Sequence, residues 1–274
     1  MSGWIPPNLP QLSQFGHHAS ICALWRIYTQ SGEEEHVRLM GLTLAVALSG
    51  CAHAFPMNGG DAGVMQDVAA GRQQVEAFFG RRFEAPVNVV VAQDRTAFDR
   101  ALPEGWGIAP SQCWMVGVGV ADSLYLLSPS VWSHDACDHS GDAAEVQGVI
   151  THELTHAFHG QHNSTRDFTG MDDAGWFVEG LAVVVSGQLA AGHADDARSA
   201  IAAGAVPTTL ADAWSGRYRY GVCGSMVRFI DATWGRTTLI ALLPATSNQQ
   251  ILAHLGLSEE EFLSRWRTWA DAQT

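Results

Sequence analysis

The sequence predicts an α+β fold. Apolar and β-branched runs suited to strands fall between residues 87 and 127, helical periodicities dominate from residue 145 onward, and no segment repeats. The expected architecture is a small mixed or antiparallel sheet with an edge strand, then two chemically marked helices and a C-terminal helical subdomain. With 274 residues, 47% hydrophobic and 16% charged, the chain can bury a sizeable core.

The elements follow in order. Val64, Val68, Val75, Phe78 and Phe79 recur at helical spacing, so 62–79 reads as a helix that Gly80 can end. The run Val87-Asn88-Val89-Val90-Val91 after Pro86 reads as a strand. Asp94 can cap a short helix carrying Phe98 and Leu102. Trp114–Val120 and Ser123–Leu127 read as a hairpin turning at Ala121-Asp122, and 128–143 as a polar loop. Glu145–His159 is helical by pattern, with Gly160 just past its end, and Trp176–Leu189 is a second apolar helix. Tyr220–Trp234, Thr237–Leu243, Asn248–Leu255 and Ser258–Ala270 complete the chain as helices, the last opened by a capping-box pattern of Ser258 and Glu261. The Ala/Gly-rich stretch 190–216 has no readable period.

Acidic residues number 28 against 15 basic ones, all of them Arg, and the net charge is -13. A chain with no basic cluster argues against a nucleic-acid partner, because phosphate contacts need grouped cations. No apolar run reaches the roughly 18 residues that a membrane-spanning helix requires.

The chemistry concentrates in His152-Glu153-Leu154-Thr155-His156. Four residues apart on a helix, two imidazoles lie one turn apart on nearly the same face and can bind one metal ion. Glu153 falls about 100° round the helix, so its carboxylate can reach an activated water and act as general base. The apolar Val146, Val149 and Ile150 mark the helix as buried, and buried polar groups demand partners. A catalytic zinc usually takes three protein ligands. Two residues compete for the third place: Glu179, an acid set among apolar neighbours, and His162, which would extend the pattern to HExxHxxHxxH. Glu179 is preferred, since a carboxylate in such surroundings is costly without a cation. His159 and His162 are then expected to face solvent or the cleft rim.

His152-Glu153-x-x-His156 followed by Trp176-x-x-Glu179-Gly180-x-Ala182 resembles the gluzincin metallopeptidases, the thermolysin-like group, and in particular small bacterial peptidase-MA-like domains. The resemblance spans roughly 87–270. It implies a zincin-like fold, one zinc ion on His152, His156 and Glu179, Glu153 as base, and a peptide or protein substrate. It also implies that substrate lies along an edge strand, for which Trp114–Val120 is the candidate. An oxyanion donor in this group often comes from the later helical region, and Tyr220, with Tyr218 second, stands there. The sequence departs from thermolysin at Val183, where an Asp would support a ligand histidine. Asp172 and Asp173 are the substitutes at hand. The metzincin pattern, with His162 as ligand, fits less well because a glycine is needed at the place of His159.

Arg38, the apolar stretch Met40–Leu48 and the tetrad Leu48-Ser49-Gly50-Cys51 resemble a bacterial lipoprotein signal with its lipobox. The expected organisation is a non-native leader over 1–36 upstream of the true start, a signal peptide over 37–50, a lipid-anchored tether over 51–62, and the metallopeptidase domain over 63–274. Lipidation at Cys51 would hold the chain on the bacterial envelope outside the cytoplasm, with Ala52 favouring the outer membrane. That compartment permits a disulfide. Cys113 and Cys137 flank one apolar stretch and are the pair expected, the alternative being free buried thiols. Rival functions are a non-catalytic zinc-binding envelope protein and a zinc amidase acting on cell-wall peptide.

Overall fold

The structure, a computed structural model, describes residues 55–60, 62–104 and 109–273. The expected leader, signal peptide and lipidated Cys51 lie outside the described residues. Within them the chain is α+β, mostly helical, with a small four-stranded mixed sheet.

The strands are β1 (Met57–Asn58), β2 (Asn88–Ala92), β3 (Gly117–Val120) and β4 (Ser123–Leu127), in the spatial order β1-β2-β4-β3. β1 and β4 both run parallel to β2, whereas β3 pairs antiparallel with β4, Val118 facing Tyr125. β3 is therefore an edge strand. It is shorter than expected, starting at Gly117, with Trp114 and Met115 ahead of the ladder.

The tether expectation is overturned for part of its range. Met57 and Asn58 pair with Val89 and Val90, and the Phe55 ring meets Phe83 edge-on at 5.1 Å. Small polar residues around 58–60 suggested a linker, but the two apolar side chains before them had a sheet edge and a core to join.

Helix α1 (Ala62–Phe79) turns Val64, Val68, Val75 and Phe79 inward. Helix α2 (Arg95–Ala101) is capped by Asp94, whose carboxylate accepts from the Ala97 N–H at 2.7 Å. The stretch 128–143, expected to be loop, contains a 3-10 turn at Pro129–Val131 and helix α3 (Trp132–Asp135). Trp132 is buried and donates its indole N–H to the Leu127 carbonyl at 2.8 Å. One anchoring aromatic thus orders a segment that is polar by composition. Cys113 and Cys137 are joined by a disulfide with Cα atoms 5.3 Å apart, beside the Arg95 guanidinium, which donates to the Cys113 and Asp135 carbonyls.

Helix α4 (Ala143–Gln161) starts at Asp142, which accepts from the Ala144 and Glu145 N–H groups. It runs past Gly160, so that glycine does not end the helix. A Cβ at Gly160 would lie 2.3 Å from the Arg166 carbonyl oxygen and 3.1 Å from the Ala121 N, so the residue serves close packing.

Helix α5 (Gly175–Val185) stops earlier than expected, at Ser186, and a π-helical turn follows at Leu189–His193. Gly187, at φ +84°, breaks the apolar run that the hydrophobicity pattern had joined. Beyond come α6 (Asp196–Ala202), α7 (Arg219–Trp234), α8 (Arg236–Ala241), α9 (Asn248–Leu255) and α10 (Glu259–Asp271). The capping box of Ser258 and Glu261 is formed in full.

The core runs continuously from α1 and the sheet through α4 and α5 to the C-terminal helices, with Trp132, Trp176 and Trp266 wholly buried. Each such side chain contributes on the order of 2–3 kcal/mol by leaving water. Helices α5 and α7 pack tightly at Gly180, where a Cβ would lie 2.4 Å from the Cys223 carbonyl oxygen. That contact seats α5 between α4 and α7 and sets where Glu179 sits. No single helix among the described residues is long and apolar enough to cross a membrane.

Candidate metal centre

Helix α4 carries His152 and His156 on one face, both buried. Their Nε2 atoms are 3.1 Å apart. Glu179 reaches them from the neighbouring α5, its Oε2 lying 3.3 Å from His152 Nε2 and 3.6 Å from His156 Nε2. Three donor atoms therefore converge, and the cluster could hold a metal ion. Tetrahedral coordination with bonds of about 2.0–2.1 Å puts ligand atoms roughly 3.3–3.4 Å apart. The observed separations bracket that value, so the residues fit a small divalent cation.

The electrostatics agree with a cation site. Burial alone would push the Glu179 carboxyl up, but His156 and His152 outweigh it and hold the group well below the usual carboxylate range. Burial likewise opposes charge on His152, yet Glu179 and Glu153 outweigh it and raise the ring above its ordinary value. A half-buried carboxylate held between two imidazoles is a ready-made anionic ligand.

The two histidines are held differently. The His152 ring meets the Gln188 Oε1 through Nδ1 at 2.8 Å. His156 Nδ1 is buried without a hydrogen-bond partner, and Phe168 stands edge-on to that ring at 6.1 Å. The substitutes considered for the missing Asp do not reach the site. Asp173 instead accepts from the Asn248 backbone N–H at 3.0 Å, and Asp172 is exposed on a 3-10 turn.

Glu153 is not among the three converging residues. It leans on the edge strand, its Oε2 accepting from the Gly119 N–H at 2.7 Å. In the antiparallel ladder Val116 bonds to Leu127, so the backbone groups of Gly117 and Gly119 point outward from the sheet. A Cβ at Gly119 would sit 2.0 Å from the Glu153 carbonyl oxygen, and one at Gly117 would sit 2.8 Å from Glu153 Cγ. The alternating glycines let β3 lie directly on α4. Glycine inside a strand is a readable sign of such an approach, and the pattern Gly117-Val118-Gly119-Val120 carried it.

Comparison with protein-family models, with curated proteins and with solved structures gives no match. The site has therefore to be read from its own geometry.

Tyr220 stands at the start of α7 with its ring stacked on His193 at 5.4 Å and edge-on to Trp214 at 4.9 Å. Burial, then the Glu179 carboxylate, raise its phenol, against the nearby Arg219 guanidinium, which lowers it. Tyr218 sits at the N-cap of α7 with the Arg217 guanidinium 5.0 Å from its ring.

The expectation for His159 is overturned. It is fully buried, with Nε2 donating to the Leu243 carbonyl at 3.1 Å and Phe168 and Phe177 against the ring. Helix α4 has apolar neighbours on more than one side, so its last turn does not reach water. His162 is half-buried but belongs elsewhere: its Nδ1 meets the Phe158 carbonyl at 2.9 Å and its Nε2 lies 3.7 Å from Glu84. The helix has carried it away from the cluster, so it is not a third ligand.

His159 predicts a pH effect. Burial, with the nearby His156, lowers its pKa from 6.5 to about 3. The unfolded chain therefore binds a proton that the folded chain refuses, and stability falls as pH drops from about 6.5 towards 3. A single such group contributes a slope of about 1.4 kcal/mol per pH unit in that window. Urea unfolding of the metal-free protein and of His159→Leu checks this. The Leu243 carbonyl keeps its bond to Asn163 in the variant. The variant should lose stability less steeply with acid, and equal slopes would refute the assignment.

Proposed function

We propose that the chain is a zinc-dependent peptidase of gluzincin type, anchored on the bacterial envelope through Cys51. The observation that carries this reading is the convergence of His152, His156 and Glu179, with Glu153 held beside them by the edge strand. Two imidazoles and one carboxylate suit zinc by ligand type. When bound, zinc would supply an acidified water and a polarised substrate carbonyl.

The chain's own residues do the rest. Gly119 occupies one oxygen of Glu153 and leaves the other free to accept the proton of the attacking water. Glu153 then returns that proton to the leaving amine. The outward backbone of Gly117 offers an open edge along which an extended peptide can pair. Tyr220, a phenol protonated at neutral pH, donates towards the developing oxyanion. The Cys113–Cys137 disulfide is consistent with an oxidising, extracytoplasmic location.

The test is digestion of a mixed peptide library by the full chain, before and after chelation, with metal content measured in parallel. One zinc per chain is expected, with cleavage lost to the chelator and restored by stoichiometric zinc. Cleavage that survives complete metal removal would refute the mechanism. Stoichiometric zinc without cleavage of any peptide would favour a non-catalytic zinc-binding role, and cleavage confined to cell-wall peptides would identify an amidase.

A further inference from the structure

We infer that Gln188 is the positioning residue of the centre: it selects the tautomer of His152 that turns a bare Nε2 towards the cation. The inference rests on the metal site proposed above. A neutral imidazole has one N–H and one lone pair, and only the lone pair binds a metal. With Gln188 Oε1 at 2.8 Å from Nδ1, the His152 proton is held on that side and Nε2 is left free beside Glu179. Were the amide reversed, its N–H₂ would face Nδ1 and drive the proton to Nε2, between the two other ligands.

The surroundings offer the amide oxygen a second donor. The Ser186 hydroxyl donates to the same Gln188 Oε1 at 3.2 Å, and the Gln188 N–H donates back to the Ser186 Oγ at 3.4 Å. The Ser186 hydroxyl also lies 3.3 Å from the Val183 carbonyl; with its one proton turned to Gln188, the amide oxygen accepts from both Ser186 and His152. The Gln188 stem crosses α4 over Gly148, one turn before His152, where a built Cβ would lie 3.5 Å from Gln188 Cγ. Gln74 secures the end of the helix below by donating to the Val185 carbonyl at 2.7 Å. The chain segment that delivers Glu179 thus also delivers, nine residues later, the group that orients His152. His156, with no partner on Nδ1, depends on packing alone, so the hydrogen-bonded control of ligand geometry rests on Gln188.

The partner is an amide where a carboxylate would be the stronger acceptor. An amide fixes the tautomer without adding negative charge beside Glu179. Gln188→Met keeps the stem and the packing over Gly148 but removes the acceptor, and Gln188→Glu keeps an acceptor in the same place.

Zinc affinity of the full chain and both variants is measured by competition with a chromophoric chelator, alongside thermal unfolding of the metal-free proteins. Gln188→Met is expected to bind zinc about 10–100-fold more weakly, and Gln188→Glu to recover most of that loss. Gln188→Met affinity within about twofold of the parent, or an unrescued Gln188→Glu, would overturn the inference while leaving the metal site standing. A parent chain that binds no zinc would overturn both. Long-range proton–nitrogen NMR of the metal-free parent gives a check independent of either variant folding. A proton on His152 Nδ1, donated to Gln188 Oε1, is the expected result, and an Nδ1 without a proton contradicts it.

Discussion

Replacing Glu153 by Gln is expected to slow peptide cleavage by about 10²–10⁴-fold, the usual contribution of a positioned general base. The variant should keep its zinc and its fold. Glutamine has the same shape, so its carbonyl oxygen can still accept the Gly119 N–H that holds the parent side chain on the edge strand. What it lacks is basicity, since an amide oxygen does not take up the proton of a water at neutral pH. The effect should therefore appear in kcat, with KM little changed, because Glu153 is not one of the converging ligands. Kinetics on a cleaved library peptide, zinc content by mass spectrometry and a melting curve separate the possibilities. Parent-like turnover would remove Glu153 from the mechanism. Loss of zinc together with activity would instead make the residue part of the metal site.

The second large effect is expected at Glu179. Supporting partners of a metal ligand typically cost 10–100-fold in affinity when removed, so loss of a ligand itself, in Glu179→Ala, should cost at least about a hundredfold. Activity should disappear with the metal and return only partly at high zinc. The metal-free protein should still fold. Glu179 is the one carboxylate lying against the two Nε2 atoms, and without it His152 and His156 remain 3.1 Å apart, close enough for one ring to donate to the other. Glu179→Gln tests charge separately from space: a neutral amide fills the same volume but offers no anionic oxygen. Zinc bound by Glu179→Ala as tightly as by the parent would show that the acid is a bystander. Equal loss in both variants would assign the effect to charge.

Much of the helical architecture was legible because its signals are local. Ser258 and Glu261 specify their cap within four residues, Asp94 does the same for α2, and the spacing of Val64, Val68 and Val75 specifies a buried face. Misreadings arose where a long-range contact overrode a local cue. Met57 and Asn58 became a strand because β2 offered an edge, and the 128–143 stretch acquired a helix because Trp132 found the core. Gly160 looked like a helix terminator, but the reason for a glycine there is the Arg166 carbonyl against it. The apolar run through Leu189 looked like one helix, and only the turn at Gly187 divides it.

The candidate site divides in the same way. His152, Glu153 and His156 were readable without tertiary information, because 3.6 residues per turn places two residues four apart on one face whatever surrounds them. Which acid joins them could not be derived from spacing, since Glu179 lies on another helix and meets the histidines only because Gly180 lets α5 pack against α7. The burial of His159 and the turning away of His162 were likewise decided by neighbours remote in the chain. Gln188 left no trace in the sequence at all. Periodicity is a property of the backbone and is written locally, whereas the meeting of side chains from separate elements depends on how those elements pack.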